Sequence, residues 1–207
     1  MSDIGHARVS AEFVVRSFAT MALAPQHQFQ VLTKRPRRLR GLLESQRFVD
    51  ALWTEMQRLS QDGAVLLARA VREDVRKRVA IWNALSSWPL PNVWIGTSIE
   101  SDEYCWRADE LWGTPAAVRF LSLEPLLGPV PSLELSRIDW VIVGGESGPA
   151  HRALDLACVG DIRGQCVDLR VSVFFKQVGG LTPKAGGRLL DGRTWDEYPD
   201  TVDVVGV

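Results

Sequence analysis

The sequence predicts an α/β protein built on a parallel sheet, in the form of an incomplete (β/α) barrel, and three observations predict it. Short apolar runs recur along the chain with amphipathic stretches between most of them. The runs are continuous rather than alternating, as strands buried on both faces are. Each run ends in polar residues, which is where a parallel α/β fold collects its ligand-binding groups. Strand–helix alternation of this kind calls for a parallel sheet, either a TIM-like barrel or an open doubly wound sheet.

Taken in order, Ser10 is placed to cap a helix carrying Phe13, Val14, Phe18 and Met21 on one side, and Pro25 stops it. The first strand is Phe29–Leu32, ending in Thr33-Lys34-Arg35. A long amphipathic helix follows over 64–85, with Val71, Val75, Val79 and Trp82 at helical spacing. The second strand, Val93–Ile95, ends in Gly96-Thr97-Ser98, and Asp102 caps a helix towards Trp112 that Gly113 and Pro115 end. The third, Val118–Leu123, ends in Glu124-Pro125, and the fourth, Trp140–Val143, in Gly144-Gly145-Glu146-Ser147-Gly148. Asp155 caps a helix towards Leu169, and the fifth strand, Val171–Phe175, ends in Lys176-Gln177. The Gly- and Pro-rich segments 126–138 and 178–194 read as long loops, and so as lids or rims.

A chain of 207 residues can bury a substantial core and is read as a single α/β domain over 1–207. Its 46% hydrophobic and 24% charged content is globular, and its net charge of −1 leaves any nucleic-acid contact to a local patch. Cys105, Cys158 and Cys166 stand far apart without CxxC spacing and read as small buried hydrophobes. The N-terminal Met1-Ser2-Asp3-Ile4-Gly5-His6 lacks the pattern of a targeting signal. No apolar run reaches the roughly 18 residues of a membrane span. A cytoplasmic location is the expectation.

The strand ends carry the candidate ligand-binding residues Lys34, Arg35, Thr97, Ser98, Lys176 and Gln177. Glu100, Glu124 and Glu146 follow three successive strands and are the candidate catalytic residues. Carboxylates held together push one another's pKa apart or share a cation or ligand ammonium; the alternative is that each pairs with a nearby arginine or caps a turn. Gly144, Gly145 and Ser147 belong to a glycine-rich turn whose N–H groups could cradle an anion or cofactor, although a tight βα turn requires glycine in any case. It is neither a Walker loop nor GxGxxG. The basic run Lys34–Arg40 could meet phosphates, but lacks interleaved aromatic residues for base stacking; the alternative is that Arg37, Arg38 and Arg40 simply solvate a helix. His6, His27 and His151 are isolated, and no zinc or serine-hydrolase pattern occurs, so no metal ligands are assigned.

Several segments carry a resemblance over nearly the whole chain. They are Phe29–Arg35 (FQVLTKR), Pro91–Glu100 (PNVWIGTSIE), Phe120–Leu126 (FLSLEPL), Trp140–Gly148 (WVIVGGESG), Phe174–Gln177 (FFKQ) and Leu190–Glu197 (LDGRTWDE). Together they resemble the uncharacterised phage gp thirty-seven/sixty-eight family. The resemblance implies a radical-SAM-like barrel, distantly similar to spore photoproduct lyase. It also implies an N-terminal cysteine cluster holding a [4Fe–4S] centre that binds S-adenosylmethionine. Gly144–Glu146 resembles the turn that holds the methionine amino group on such barrels. None of the three cysteines matches the cluster in position or spacing, so no cofactor is expected in this chain as it stands; S-adenosylmethionine and the cluster are expected only in a full-length form. The expectation is a barrel lacking its first strands, with two open sheet edges through which copies could self-associate. The readings left open are a truncated radical-SAM-like barrel with a small-molecule pocket at its strand ends, a nucleic-acid-binding phage protein using Lys34–Arg40, and a cluster-independent enzyme using the glutamates. No membrane partner is expected.

Overall fold

The computed structural model of the chain describes residues 3–66 and 88–200, with 61–66 by backbone alone. Five strands, β1 (Phe29–Thr33), β2 (Val93–Ser98), β3 (Arg119–Leu123), β4 (Trp140–Gly144) and β5 (Ser172–Gln177), form one sheet in chain order. Every pair is parallel, with Val31 opposite Ile95, Gly96 opposite Phe120, Ser122 opposite Ile142 and Ile142 opposite Phe174. The α/β class and all five strands are as expected. Among the described residues the sheet does not close into a barrel: β1 and β5 lie at its opposite edges, whereas closure requires the first and last strands to meet with consistent tilt and stagger.

The helices are α1 (Ala11–Ala22), α2 (Pro36–Leu43), α3 (Gln46–Leu66), α4 (Trp106–Trp112) and α5 (Leu156–Leu169). Ser10 caps α1, its hydroxyl accepting from the Phe13 N–H at 3.2 Å. Val14, Phe18 and Ala22, four residues apart, bury one stripe of that helix. Phe13, expected on the buried side, sits one residue off this stripe and is 58% exposed. Asp155 caps α5 as expected, accepting from the Ala157 N–H at 2.9 Å. Asp102 does not cap its helix. Its carboxylate takes the Ser132 N–H at 2.8 Å and the Ser132 hydroxyl at 3.0 Å, tying the β2 exit to the loop before β4. Of the helix expected over 64–85, residues 64–66 belong to α3 and the rest lies outside the described residues.

One core cluster joins the helices to one face of the sheet: Val14, Phe18, Leu39, Phe48, Leu111 and Ile162 pack with Val31, Ile95, Leu121, Val141 and Phe175. The other face holds a separate aromatic cluster of Trp94, Phe120 and Trp140, against which Ile142 and Phe174 pack, with no helical residue among its described members. Trp94 and Trp140 meet edge to face at 5.7 Å, and Tyr198 lies against Trp140 at 4.9 Å, geometries that aromatic quadrupoles favour.

The expectation of two unpaired edges is corrected at one of them. Trp195–Glu197 runs antiparallel beside β5: the Phe175 N–H donates to the Trp195 carbonyl and the Glu197 N–H to the Val173 carbonyl, at 2.9 and 3.1 Å. A later segment of the chain therefore covers the ladder groups that β5 would otherwise expose.

Candidate functional site

Because side chains alternate along a strand, each strand end splits its polar residues between the two faces. Thr97 belongs to the helix side. It is fully buried, and its hydroxyl donates to the Thr33 carbonyl at 2.8 Å, so the expected ligand contact from Thr97 is replaced by a bond between β1 and β2. Ser98, Ser122 and Gly144 occupy the aromatic face, with Lys34, Glu100, Glu124 and Lys176 at the strand ends on that side.

Glu100 is the most enclosed of the three glutamates. It pairs with Lys34 on one side and with Arg107 Nη1, at 3.0 Å, on the other; the side chains of Glu100 and Arg107 are only 11% and 10% exposed. Arg107 Nη1 also donates to the Ser98 carbonyl at 2.7 Å, and its guanidinium lies 4.1 Å from the Tyr104 ring centroid. Burial pushes the Glu100 carboxyl up, but the hydrogen bonds and charges of Lys34 and Arg107 outweigh it and leave the group below the ordinary glutamate range. Arg107 was not a sequence candidate. Its only signal is its place on the first turn of α4, the helix that follows β2.

Glu124 receives the Ser122 hydroxyl at 3.3 Å and Lys176 Nζ at 3.1 Å. Lys176 is on β5 and Glu124 follows β3, so this ion pair bridges the intervening strand over Gly144. A Cβ at Gly144 would stand 2.7 Å from Glu124 Oε1. A side chain at that position would require the Glu124 carboxylate to shift.

Glu146 does not join this group. Arg152 holds it in a two-pronged pair at 2.8 and 3.0 Å and adds its own backbone N–H at 3.0 Å. The Arg152 guanidinium and N–H bonds lower the Glu146 carboxyl to about 2. Each of the three carboxylates thus has its own cation.

The glycine-rich turn is bonded to the end of β5 and to the loop after it. The Gly145 N–H donates to Gln177 O, and the Gly148 N–H to Gly180 O, both at 2.9 Å. Gln177 Nε2 bonds the Gly145 carbonyl at 3.1 Å and the Ser147 hydroxyl at 3.0 Å. Gly145, Ser147 and Gln177 therefore clamp two strand exits together. The basic run is similarly engaged: Arg35 pairs with Asp3, Arg37 with Glu110, and Arg40 with Glu44, at 2.8, 2.7 and 2.8 Å. Asp3 also takes the Thr33 hydroxyl and the Lys34 N–H, an anchor for the β1 end that nothing in the local sequence signals.

A cleft of about 320 Å³ opens on the aromatic face. Phe120, Ile142 and Phe174 line it with Tyr198; Ser122, Glu124 and Lys176 form its polar end, and Gln30 and Leu32 of β1 stand at its side. Of the sequence candidates it takes in only Glu124 and Lys176. A larger hollow of about 560 Å³ lies where α1 meets α3, over Val15, Leu42 and Phe48. It holds none of the strand-end residues, and Arg16 and Glu55 there are 3.5 Å apart.

Fold and site define an α/β protein with a parallel sheet and paired ionic groups at the carboxyl ends of its strands. The chain belongs to the family described as Protein of unknown function (DUF5131), whose model matches residues 1–199. No curated protein and no solved structure matches it.

The cluster and S-adenosylmethionine implied by the resemblance do not fit these residues. Cys105 precedes α4, Cys158 and Cys166 lie on α5, and all three are buried in the helix-side core. Burial pushes the Cys105 and Cys166 thiols up to about 12, the opposite of the thiolate character that cluster ligation requires. The Glu146 carboxylate is occupied by Arg152. Among the described residues no group of three His, Cys, Asp or Glu side chains is placed to hold a metal ion.

Proposed function

We propose that the protein binds a small molecule in the cleft on the aromatic face, with Glu124 and Lys176 as its polar anchors and Phe174 and Tyr198 as its apolar contacts. In this reading the sheet is a segment of the radical-SAM-like barrel that the sequence resemblance implies. All five strands run parallel in chain order, with helices on one face; the aromatic face corresponds to the barrel interior, and no cluster takes part.

The observation that carries the reading is the meeting of an ion pair with an apolar, aromatic floor in one hollow that runs along the sheet face and has its polar end at the strand carboxyl ends. This is where parallel α/β proteins bind ligands, and a mostly apolar cleft with few convergent polar groups is the usual make-up of such sites. The nucleic-acid reading draws less support, because Lys34, Arg35, Arg37 and Arg40 all face carboxylates of the same chain.

Gln30 is exposed and stands at the side of the cleft, so Gln30→Trp is a blocking change with little cost to the fold. Ligand-observed NMR with a library of ring-bearing fragments should give hits for the wild type that Gln30→Trp weakens at least tenfold at an unchanged melting temperature. Hits that persist undiminished in the variant would place binding elsewhere and defeat the proposal.

A further inference from the structure

We infer that the ligand is an aromatic zwitterion, a compound that carries a flat ring and, a few bonds away, both an ammonium and a carboxylate. This rests on the cleft being the binding site. The two ion pairs on this side of the sheet differ in how readily they exchange. Glu100 is held by two cations, one of them the buried Arg107. Among the described residues Glu124 has the single cation Lys176, whose side chain is 53% exposed, and this is the pair that borders the cleft.

A ligand with only a carboxylate takes Lys176 and leaves Glu124, 22% exposed, without its cation, which is unfavourable; one with only an ammonium takes Glu124 and forgoes any contact of its own with Lys176. A zwitterion avoids the difficulty. Its ammonium meets Glu124 while its carboxylate meets Lys176, so every charge keeps a partner and the net charge of the site is unchanged. The Ser122 hydroxyl, 3.3 Å from Glu124 Oε2, is placed to hold the same carboxylate in position. The remainder of the cleft calls for a ring. Phe174 and Tyr198 stand edge to face at 5.7 Å, and Phe120 packs beside Trp140 at 5.8 Å, so an entering ring meets aromatic faces and edges in the arrangement such groups prefer. A volume of about 320 Å³ lies at the small end of the roughly 300–1,000 Å³ of ligand pockets, which suits a one- or two-ring amino acid rather than a dinucleotide.

The test is calorimetric titration, backed by ligand-observed NMR, with five probes: L-tryptophan, L-phenylalanine, tryptamine, indole-3-propionate and L-leucine. We expect L-tryptophan or L-phenylalanine to bind the wild type. Tryptamine and indole-3-propionate, each lacking one charge, and L-leucine, lacking the ring, should bind at least tenfold more weakly. Glu124→Gln and Lys176→Met, both partly exposed, should each abolish that preference, with unchanged far-UV circular dichroism as the check on folding. If tryptamine or indole-3-propionate binds as tightly as L-tryptophan and Gln30→Trp still blocks it, the inference is overturned while the cleft stands as a ligand site. If none of the five binds, the inference is also overturned, and the fragment screen alone then decides the reading beneath it.

Discussion

Replacement of Glu100 by alanine is expected to lower the melting temperature by roughly 6–12 °C. The change removes the carboxylate that pairs with Arg107 inside the protein and leaves a guanidinium whose Nε has no hydrogen-bond partner among the described residues. Breaking a buried ion pair from one side costs about 3–5 kcal/mol. The Lys34 arm of the network is 58% exposed and screened by solvent, so the lower end applies, about 3 kcal/mol. At 2–4 °C per kcal/mol for a chain of about this size, that gives the quoted shift. Glu100→Gln keeps an acceptor for Arg107 and should lose about half as much, since a neutral hydrogen bond is roughly half as strong as a charge-assisted one. The effect should also depend on pH with a definite sign. Glu100 is held below its ordinary value of 4.5, so the unfolded chain binds its proton more readily than the folded one. Its contribution is complete above that value and is lost as the pH falls through the lowered folded one. The gap between wild type and Glu100→Ala should be constant near neutrality and close in acid, as thermal melts over a pH series will report.

Gly145→Ala is expected to be at least as damaging, for a steric reason. A Cβ there would stand 1.9 Å from the Val178 carbonyl oxygen and 2.8 Å from its carbon. Backbone atoms cannot move aside as the end of a flexible side chain can. Relief requires the β4 and β5 exits to separate, and that breaks the bonds from the Gly145 N–H to Gln177 O and from the Gly180 N–H to Glu146 O. Overpacking costs about 1–3 kcal/mol where side chains can adjust, and lost buried hydrogen bonds add about 1 kcal/mol each or more. A total above about 3 kcal/mol, or failure to fold, is the expected result. Gly164→Ala is the matched control. It lies within α5 with nothing near its added Cβ and should raise stability by about 0.5–1 kcal/mol through helix propensity. Equal melting temperatures for the two variants would contradict this account of the turn.

The strands were legible in the sequence because burial on both faces makes each one a continuous apolar run. The same property hid the direction of the strand ends: with no alternation to read, Thr97 and Ser98 look alike, yet one bonds β1 on the helix side and the other lies on the aromatic face. A helix solvated by Arg37, Arg38 and Arg40 was open from the sequence, and α2 lies there; α3 went unanticipated. Phe48, Leu52 and Met56, spaced by four and buried together, were the readable signal. Of the site, Glu124 and Lys176 could be nominated singly as strand-end residues, but their pairing across Gly144 depends on sheet register. The cleft's aromatic contact at Tyr198 and the strand-like cover at Trp195–Glu197 come from a segment after the glycine-rich loop, where local pattern carries little information about tertiary position.

The most direct test of the ligand site is an NMR titration of protein labelled at isoleucine methyls and aromatic rings with the tightest ring-bearing fragment. If the cleft is the site, the Ile142 methyl and the Phe174 and Tyr198 rings should shift together and saturate with one affinity, while the Phe48 ring beside the hollow between α1 and α3 stays in place. Saturable shifts at Phe48, with Ile142, Phe174 and Tyr198 unchanged, would contradict it.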